Sequence, residues 1–232
     1  MSAIEHIYEP SRLLLVWHPT DESQPRHRRV VGELVRQGDD AVFRYLKGTD
    51  DFEAALNEGF FEFPAFADKK DNASQAGALD VFLRRIPPRK REDFKEYLGQ
   101  YNLPPDFSGS PFSLLGYTGA RLASDTFELC PDLSDAKAPL DFVIELSGAH
   151  HYHDPSRALA EGDEVDFITD DDNKHDGQAI RVELRGSKIG YVNKALAPSF
   201  RRLLREGTVR GTILKTFVSR SKLGIIVLVK YS

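Results

Sequence analysis

Residues 172–192 read DNKHDGQAIRVELRGSKIGYV and carry the clearest structural pattern in the chain. Apolar and polar residues alternate in AIRVEL, while KIGYV is rich in β-branched and aromatic residues, and both patterns are typical of strands. The Arg-Gly pair between them is typical of a turn. The Asn and Asp residues at the front favour a polar turn, because their side chains bond to nearby backbone groups. The segment therefore predicts a polar loop followed by two strands.

Strand-like segments continue on both sides of this stretch. They are DFVIELSG at 141–148, GDEVDFITD at 162–170, TVRGTILKTFV at 208–218 and LGIIVLVKY at 223–231. In this half only residues 194–207 have helical spacing. Their apolar face consists of Leu196, Phe200, Leu203 and Leu204, and Gly207 ends the helix. Short strands with one helix predict a small SH3-like or OB-like β-barrel.

The first part of the chain combines short strands and short helices. RLLLVW at 12–17 and RRVVGELVRQGDDAVFRYL at 28–46 predict a small antiparallel sheet. Residues 78–98 predict two short helices joined by a proline corner, and a Pro-, Gly- and Ser-rich loop, a short helix and a last strand follow. Residues 131–139 have the composition of a linker. We therefore predict an α+β protein with a mixed N-terminal domain at 1–135 and a barrel at 140–232.

Composition restricts the cellular setting. One cysteine, Cys130, excludes an internal disulfide and a cysteine-based zinc site, and it fits a reducing compartment. The start, MSAIEHIYEP, lacks the basic and apolar regions of a signal peptide. No apolar run approaches the roughly 18 residues that a membrane span needs. We therefore expect a cytoplasmic protein.

Charge is distributed unevenly along the chain. The formal net charge is -5, but residues 181–232 contain twelve Lys or Arg and only two acids, Glu183 and Glu206. A basic segment in an acidic protein is expected when one face meets phosphate groups. A solvated helix face with ordinary surface lysines would give the same count. The distribution thus permits a nucleic-acid partner despite the acidic total.

Four motifs follow one another in the C-terminal half. They are Gly148-Ala149-His150-His151-Tyr152, Gly162-Asp163, the loop and strand from Asn173 to Val182, and Lys188-Ile189-Gly190-Tyr191-Val192. Their order and spacing resemble the HIRAN family over about ninety residues. The resemblance implies a barrel that binds the free 3′ end of single-stranded DNA. It also implies that bases stack on aromatic rings and that an Asn/Asp loop holds the terminal hydroxyl.

The resemblance assigns roles to individual residues of the loop and the following strand. Asn173 and Asp176 match the loop positions, and His175 lies where a relative has tyrosine. Tyr191 matches an aromatic or histidine position, and Lys194 matches a phosphate-contacting lysine. A short amide and a carboxylate can exchange hydrogen bonds with a ribose hydroxyl, while flat rings offer stacking that tolerates any base.

The first motif departs from the family pattern. His150 and His151 stand where a relative has Arg-Tyr, while Tyr152 keeps the following aromatic. Replacing the arginine removes a fork that can grip phosphate, and histidines in place of tyrosines make stacking weaker and sensitive to protonation. Together with Arg201 of the basic segment, the predicted nucleic-acid-binding residues are His150, His151, Tyr152, Asn173, His175, Asp176, Tyr191, Lys194 and Arg201.

Structural interpretations of the same residues stay open. Asn173 and Asp176 can simply cap a turn, and Tyr191 can be partly core. The spacing of Asp172 and Asp176 approximates a calcium loop, but Lys174 occupies a ligand position and the flanks are strands rather than helices. The loop therefore does not predict a calcium site.

Catalytic and metal sites lack a matching pattern. His150, His151 and His153 could hold a metal, but adjacent residues of a strand point to opposite faces. The acidic run at 170–172 is the one candidate for a magnesium-dependent nuclease, and a solvated turn explains it better. No nucleophile with its base and no phosphate-binding glycine loop occurs. We therefore predict no metal, no cofactor and no enzyme activity.

The N-terminal part offers a second resemblance. Val31-Gly32-Glu33-Leu34, Phe43-Arg44-Tyr45, the helix around Phe82-Leu83 and the proline break are similar to the N-terminal subdomain of HipA-type kinases, without the catalytic residues of the kinase body. The resemblance implies an interaction domain that docks a protein partner. A kinase and an antitoxin are the partner classes that it suggests. Aromatic residues at 60–66 could form a partner surface, although core is the favoured interpretation.

Two functions follow from these observations. The first is binding of single-stranded DNA, at free 3′ ends, with the N-terminal domain recruiting a protein, in DNA repair or in defence against foreign DNA. The second is a protein–protein adaptor or regulator of a HipA-like toxin–antitoxin or defence system that binds no DNA.

Overall fold

The chain folds into two compact units of the α+β class. The computed structural model describes residues 4–19, 28–66, 76–152, 154, 156–219 and 222–232. One unit comprises residues 9–135, and the other comprises residues 136–232 together with the start of the chain up to Tyr8. Among the described residues, no helix is long and apolar enough to cross a membrane.

The described residues of the unit at 9–135 form a four-stranded antiparallel sheet and four short helices. The strands are β1 (Arg12–Trp17), β2 (Arg29–Gln37), β3 (Asp40–Tyr45) and β4 (Phe127–Pro131), in the sheet order β3-β2-β1-β4. The helices are α1 (Asp50–Asn57), α2 (Ala78–Leu83), α3 (Phe94–Gln100) and α4 (Pro111–Thr118). The predicted sheet and the helices on either side of the proline corner are therefore present.

Aromatic rings fill the core of this unit. Phe43 of β3 stacks on Phe66 with ring centroids 4.5 Å apart, and Phe63 stacks on Phe82 of α2 at 4.9 Å. Most of the aromatic run at 60–66 thus belongs to the core, where large rings supply the main apolar burial. Phe61 differs, because 72% of it is exposed.

The segment with linker composition is held in place. Asp132 is buried and accepts a hydrogen bond of 2.7 Å from Nε of Arg12. Arg12 also pairs with Glu33 of β2, whose side chain is fully buried. Leu133 is fully buried as well. A small, polar, proline-flanked composition predicted a linker, but these contacts anchor its first residues to their own unit.

The C-terminal unit is a curled antiparallel sheet of six strands. Its elements are β5 (Leu140–Glu145), α5 (Ala149–Tyr152), β6 (Glu164–Thr169), β7 (Ile180–Leu184), β8 (Ser187–Tyr191), α6 (Ala197–Glu206), β9 (Val209–Ser219) and β10 (Lys222–Tyr231), and the strand order is β5-β10-β9-β6-β7-β8. The chain just after β5 meets the end of β8 in a bridge between Ser147 and Tyr191, with hydrogen bonds of 2.8 and 3.0 Å. The half-barrel therefore has its two edges linked at one point.

Close backbone approach explains the glycine of the KIGY motif. A Cβ atom at Gly190 would lie 3.0 Å from Cβ of Leu146 and 3.1 Å from the carbonyl oxygen of Ser147. These separations are shorter than ordinary van der Waals contacts, so a side chain here would push β8 away from the bridge. Glycine at this position allows the edges to meet.

Helix α6 covers the inside of the curled sheet. Phe200 is fully buried, with its ring centroid 4.8 Å from that of Phe167 on β6 and 5.9 Å from that of Phe142 on β5. Leu196 and Leu203 are buried on the same face of the helix. The predicted apolar face is confirmed, and its burial fixes the helix against β5 and β6, the strands that precede the first and third motifs in the chain.

Candidate nucleic-acid interface

A β-bulge in β8 places a lysine beside the motif tyrosine. Val182 pairs with Gly190 and Glu183 pairs with Lys188, so Ile189 is the extra residue of the bulge. A bulge changes the alternation of side chains along a strand. Lys188 consequently reaches the same side as Tyr191, and its Nζ donates to the Tyr191 hydroxyl at 3.1 Å.

Two tyrosine rings and this ammonium group form one cluster. The rings of Tyr152 and Tyr191 lie 5.3 Å apart at an interplanar angle of 69°. Nζ of Lys188 is 4.0 Å from the ring centroid of Tyr152 and 5.0 Å from that of Tyr191. Because 42% of Tyr152 is exposed, the cluster offers an aromatic surface and a positive charge to solvent together.

The hydroxyl of Tyr191 is the centre of a hydrogen-bond network. It donates to Oδ2 of Asp170 at 2.8 Å and accepts from Nδ2 of Asn173 at 3.3 Å as well as from Lys188. The bond from Tyr191 is the main cause that lowers the pKa of Asp170. Burial, followed by the bond to Asp170, raises the pKa of Tyr191. The network therefore holds the tyrosine protonated and the carboxylate charged.

Asn173 uses all of its hydrogen-bonding groups inside the protein. Its amide nitrogen donates to Asp170 at 3.2 Å and to Tyr191, and its oxygen accepts from the backbone N–H groups of His175 at 2.9 Å and Asp176 at 3.1 Å. An amide side chain offers two donors and two acceptor sites. Asn173 therefore shapes the loop and connects it to Tyr191, which agrees with the turn-capping interpretation.

Asp176 and His175 keep more freedom toward solvent. One carboxylate oxygen of Asp176 accepts from the backbone N–H of Gln178 at 2.9 Å. The carboxylate has a second oxygen, and a charged carboxylate accepts several hydrogen bonds. His175 is exposed at the tip of the loop. These two residues can contact a ligand without loss of the loop's own hydrogen bonds.

The paired histidines lie in a helix and not in a strand, so the strand-based argument about their side chains was wrong. Gly148 has a φ of 71°, which turns the chain out of β5, and His150 and His151 follow in the one-turn helix α5. Their ring centroids are 3.8 Å apart, and both residues are exposed. Partial burial, the neighbouring His151 and Lys222 lower the pKa of His150.

Metal-ligating side chains converge elsewhere in the described part of the unit. There, a group of three with ligand atoms within 4.8 Å of one another is formed by Glu5, His6 and Asp141. Asp141 is buried and accepts hydrogen bonds from the backbone N–H groups of Glu5 at 2.8 Å and His6 at 3.0 Å. The group thus fastens the chain start to β5. His153 lies outside the described residues.

The predicted basic residues differ in their availability. Lys194 is exposed after β8. Arg201 has a side chain only 13% exposed, donates to the carbonyl oxygens of Gln178 at 3.0 Å and Ala179 at 3.1 Å, and pairs with Asp171 at 2.7 Å. It fastens α6 to the loop and offers little surface to a ligand.

Ion pairs offset part of the charge of the basic segment. Arg181 pairs with Glu183 at 2.6 Å, Arg185 pairs with Asp163 at 2.8 Å, and Lys230 pairs with Glu5 at 3.3 Å. Arg202 pairs with Glu206 along α6. Arg220 lies outside the described residues. The count of twelve cations therefore overstates the charge that faces solvent.

The site includes residues that the sequence interpretation missed. Lys188 and Asp170 belong to the tyrosine network, and Lys222 of β10 is exposed and close enough to act on His150. Lys188 belongs to the KIGYV motif, but residue types do not predict the bulge that turns its side chain toward Tyr191.

Comparisons with known proteins concern the C-terminal unit. The HIRAN domain family matches residues 140–225. Among solved structures, the crystal structure of the HIRAN domain of human HLTF is similar, with 17% identity over 39% of this chain and 74% of that chain and a TM-score of 0.32. The crystal structure of a Lactobacillus plantarum protein is similar with 18% identity over 40% of this chain and 95% of that chain, at a TM-score of 0.30. No curated protein matches the chain. On the family match, residues 140–225 form a HIRAN domain.

Proposed function

We propose that the C-terminal unit binds single-stranded DNA and holds a free 3′ end. The family match supports nucleic-acid binding in general. The observation that carries the finer proposal is the cluster of Tyr152, Tyr191 and Lys188, with a centroid-to-Nζ distance of 4.0 Å at Tyr152. An exposed ring beside a cation is the combination that single-strand binding uses, because bases stack on the ring and phosphates meet the charge.

Binding and positioning roles divide among the site residues. Tyr152, His151 and His175 are exposed rings on which bases can stack, and Asp176 has carboxylate capacity to accept a bond from a terminal hydroxyl. Lys194 is exposed, and the proposed role of its ammonium group is to contact a phosphate of the strand. Asn173 and Arg201 act as positioning residues, since their polar groups are committed to the loop and to α6.

The N-terminal unit is proposed to act in protein binding. Its sheet and helices enclose an aromatic core, while Phe61 presents an exposed ring at its surface. Exposed aromatic residues are enriched at protein interfaces. We propose a kinase-like protein as the class of partner, because the sequence of this unit resembles the N-terminal subdomain of HipA-type kinases. That resemblance stays a prediction. In this scheme the whole chain recruits and binds, and it performs no chemistry.

Fluorescence anisotropy with labelled single strands of about ten nucleotides tests the proposal, since small barrels of the OB type bind roughly 4–16 nucleotides each. The wild type should bind a strand with a 3′ hydroxyl more tightly than one with a 3′ phosphate. Tyr152→Ala should weaken binding by about fivefold to a hundredfold, from the loss of one stacked base. Lys230→Gln is the matched control, because Lys230 is paired with Glu5 away from the tyrosine cluster.

Asp176→Asn tests end recognition separately from loop structure. The amide oxygen of asparagine can still accept from the N–H of Gln178, but the charged acceptor is lost. The variant should bind both kinds of strand with similar affinity. Binding of a protein partner with no affinity for any nucleic acid would reject the proposal and favour the adaptor function.

A further inference from the structure

A pocket of about 300 Å³ lies between α5, the chain after it and β8. Apolar side chains of Leu159, Leu184 and Ile189 contribute one part of its wall. The remainder of its lining is Tyr152, Asp154, Arg157, Ser187 and Lys188. The pocket lining therefore combines apolar side chains with two cations, two hydroxyl-bearing residues and one carboxylate. Its volume is at the small end of ligand sites.

The ammonium group of Lys188 is fixed in place without an ion-pair partner among the described residues. The bulge at Ile189 aims it toward the tyrosines, and the Tyr191 hydroxyl accepts one of its three hydrogens at 3.1 Å. The hydroxyl of Tyr191 lies between Lys188 and Asp170 and is hydrogen-bonded to both. A cation held against two rings retains donors for an anion.

Arg157 supplies a second positive charge that is loosely held. Its Nε is 3.9 Å from Oδ2 of Asp154, and both side chains are more than half exposed. Asp154 is also engaged by Ser156, whose backbone N–H and hydroxyl both donate to Oδ1 at 2.9 and 2.8 Å. A guanidinium in such a weak, exposed pair can exchange its partner for phosphate at little cost.

We infer that this pocket is a phosphate subsite for the bound strand, with Lys188 and Arg157 holding one backbone phosphodiester next to the base on Tyr152. The inference rests on the proposed binding of single-stranded DNA. The Ser187 hydroxyl is available in the lining as a further donor, and the apolar wall can pack against the sugar of the same nucleotide. The compact ammonium of Lys188 and the planar guanidinium of Arg157 can bind different oxygens of one tetrahedral phosphate.

The salt dependence of binding tests the subsite in the full-length chain. The slope of log K against log salt concentration is measured between about 0.05 and 0.2 M NaCl with a labelled oligothymidine, for the wild type, Lys188→Gln and Arg157→Gln. Each variant should make this negative slope shallower by about 0.7, the value for one phosphate contact on a single strand. Lys188→Arg should keep the wild-type slope, and Lys230→Gln, outside the pocket, should also leave it unchanged.

The outcomes separate the subsite from the function on which it rests. Slopes that stay at the wild-type value in both Lys188→Gln and Arg157→Gln would overturn the subsite while single-strand binding stood. Arg157→Gln changes an exposed side chain, so it answers the question even if the loss of Lys188 disturbs the tyrosines. A wild type that binds no strand, or that binds inorganic phosphate in the pocket but no strand, would overturn both proposals.

Discussion

Removal of one hydroxyl group, in Tyr191→Phe, should loosen the whole candidate site. That hydroxyl donates to Asp170 and accepts from Asn173 and Lys188, at 2.8, 3.3 and 3.1 Å. A net hydrogen bond contributes about 0.5–1.5 kcal/mol, and more when one partner is charged. The site is partly exposed, so solvent screening places each bond at the low end. Three such bonds predict a loss of about 1–2 kcal/mol from the C-terminal unit.

Hydrogen exchange of backbone amides is the suitable assay for this variant. The single tryptophan, Trp17, lies in the other unit, so its fluorescence would report on the wrong part of the chain. The amide of Tyr191 is bonded to Ser147 and reports on the bridge directly. A loss of 1–2 kcal/mol should accelerate its exchange by roughly 5- to 30-fold where exchange follows unfolding of the unit.

Tyr152→Phe is the matched control, because no hydrogen bond to the Tyr152 hydroxyl occurs within the part of the chain that the structure describes. It removes the same atom from the partner ring. The free energy of unfolding obtained from the exchange rates should stay within about 0.5 kcal/mol of the wild-type value, as it usually does for surface changes. Equal rates in Tyr191→Phe and Tyr152→Phe would refute the view that this network stabilises the unit. The Asp170 carboxylate should also titrate at higher pH in Tyr191→Phe, because its main pKa-lowering contact is gone.

Three further changes have clear expected outcomes. Lowering the pH from about 7.5 to 5.5 should strengthen the binding of single-stranded DNA in anisotropy assays, because a protonated His150 imidazole attracts phosphate, and the gain should be smaller in His150→Gln. Since the pKa of His150 is lowered by burial, His151 and Lys222, its charge should appear below the usual value of about 6.5. Phe200→Ala should lower the unfolding free energy by about 3–5 kcal/mol in urea titrations, because the ring is fully buried between two others. Cys130, buried and with a raised thiol pKa, should react with a thiol reagent only after urea unfolds its unit.

Much of the fold could be predicted because its signals are local. The alternation in residues 180–184 and the apolar face of α6 each follow from a repeat of two or about 3.6 residues, which burial on one side imposes. The two helices beside Pro87 and Pro88 were predictable for the same local reason, since proline cannot continue a helix. These patterns need no knowledge of which strand pairs with which.

The parts that could not be predicted depend on contacts between distant residues. Helix α5 occupies a place where the sequence was interpreted as strand, because Gly148 turns the chain directly after the bridge between Ser147 and Tyr191. Arg201 is basic like a phosphate-binding residue, yet the loop at 178–179 takes up its donors. In each case a partner far along the chain decides the role, and residue type alone does not reveal that partner.

Tyr191 links the closure of the half-barrel to the formation of the site. Its backbone makes both hydrogen bonds of the bridge to Ser147, while its side chain organises Asp170, Asn173 and Lys188. A change that opens the bridge must therefore also move the ring on which the network depends. Glycine at position 190 lets the edges meet, so Gly190→Ala should separate β8 from the chain after β5 and disturb the cluster although no site side chain is altered. This coupling requires that Gly190→Ala binds single-stranded DNA more weakly than the wild type, while the stability of the N-terminal unit is unchanged.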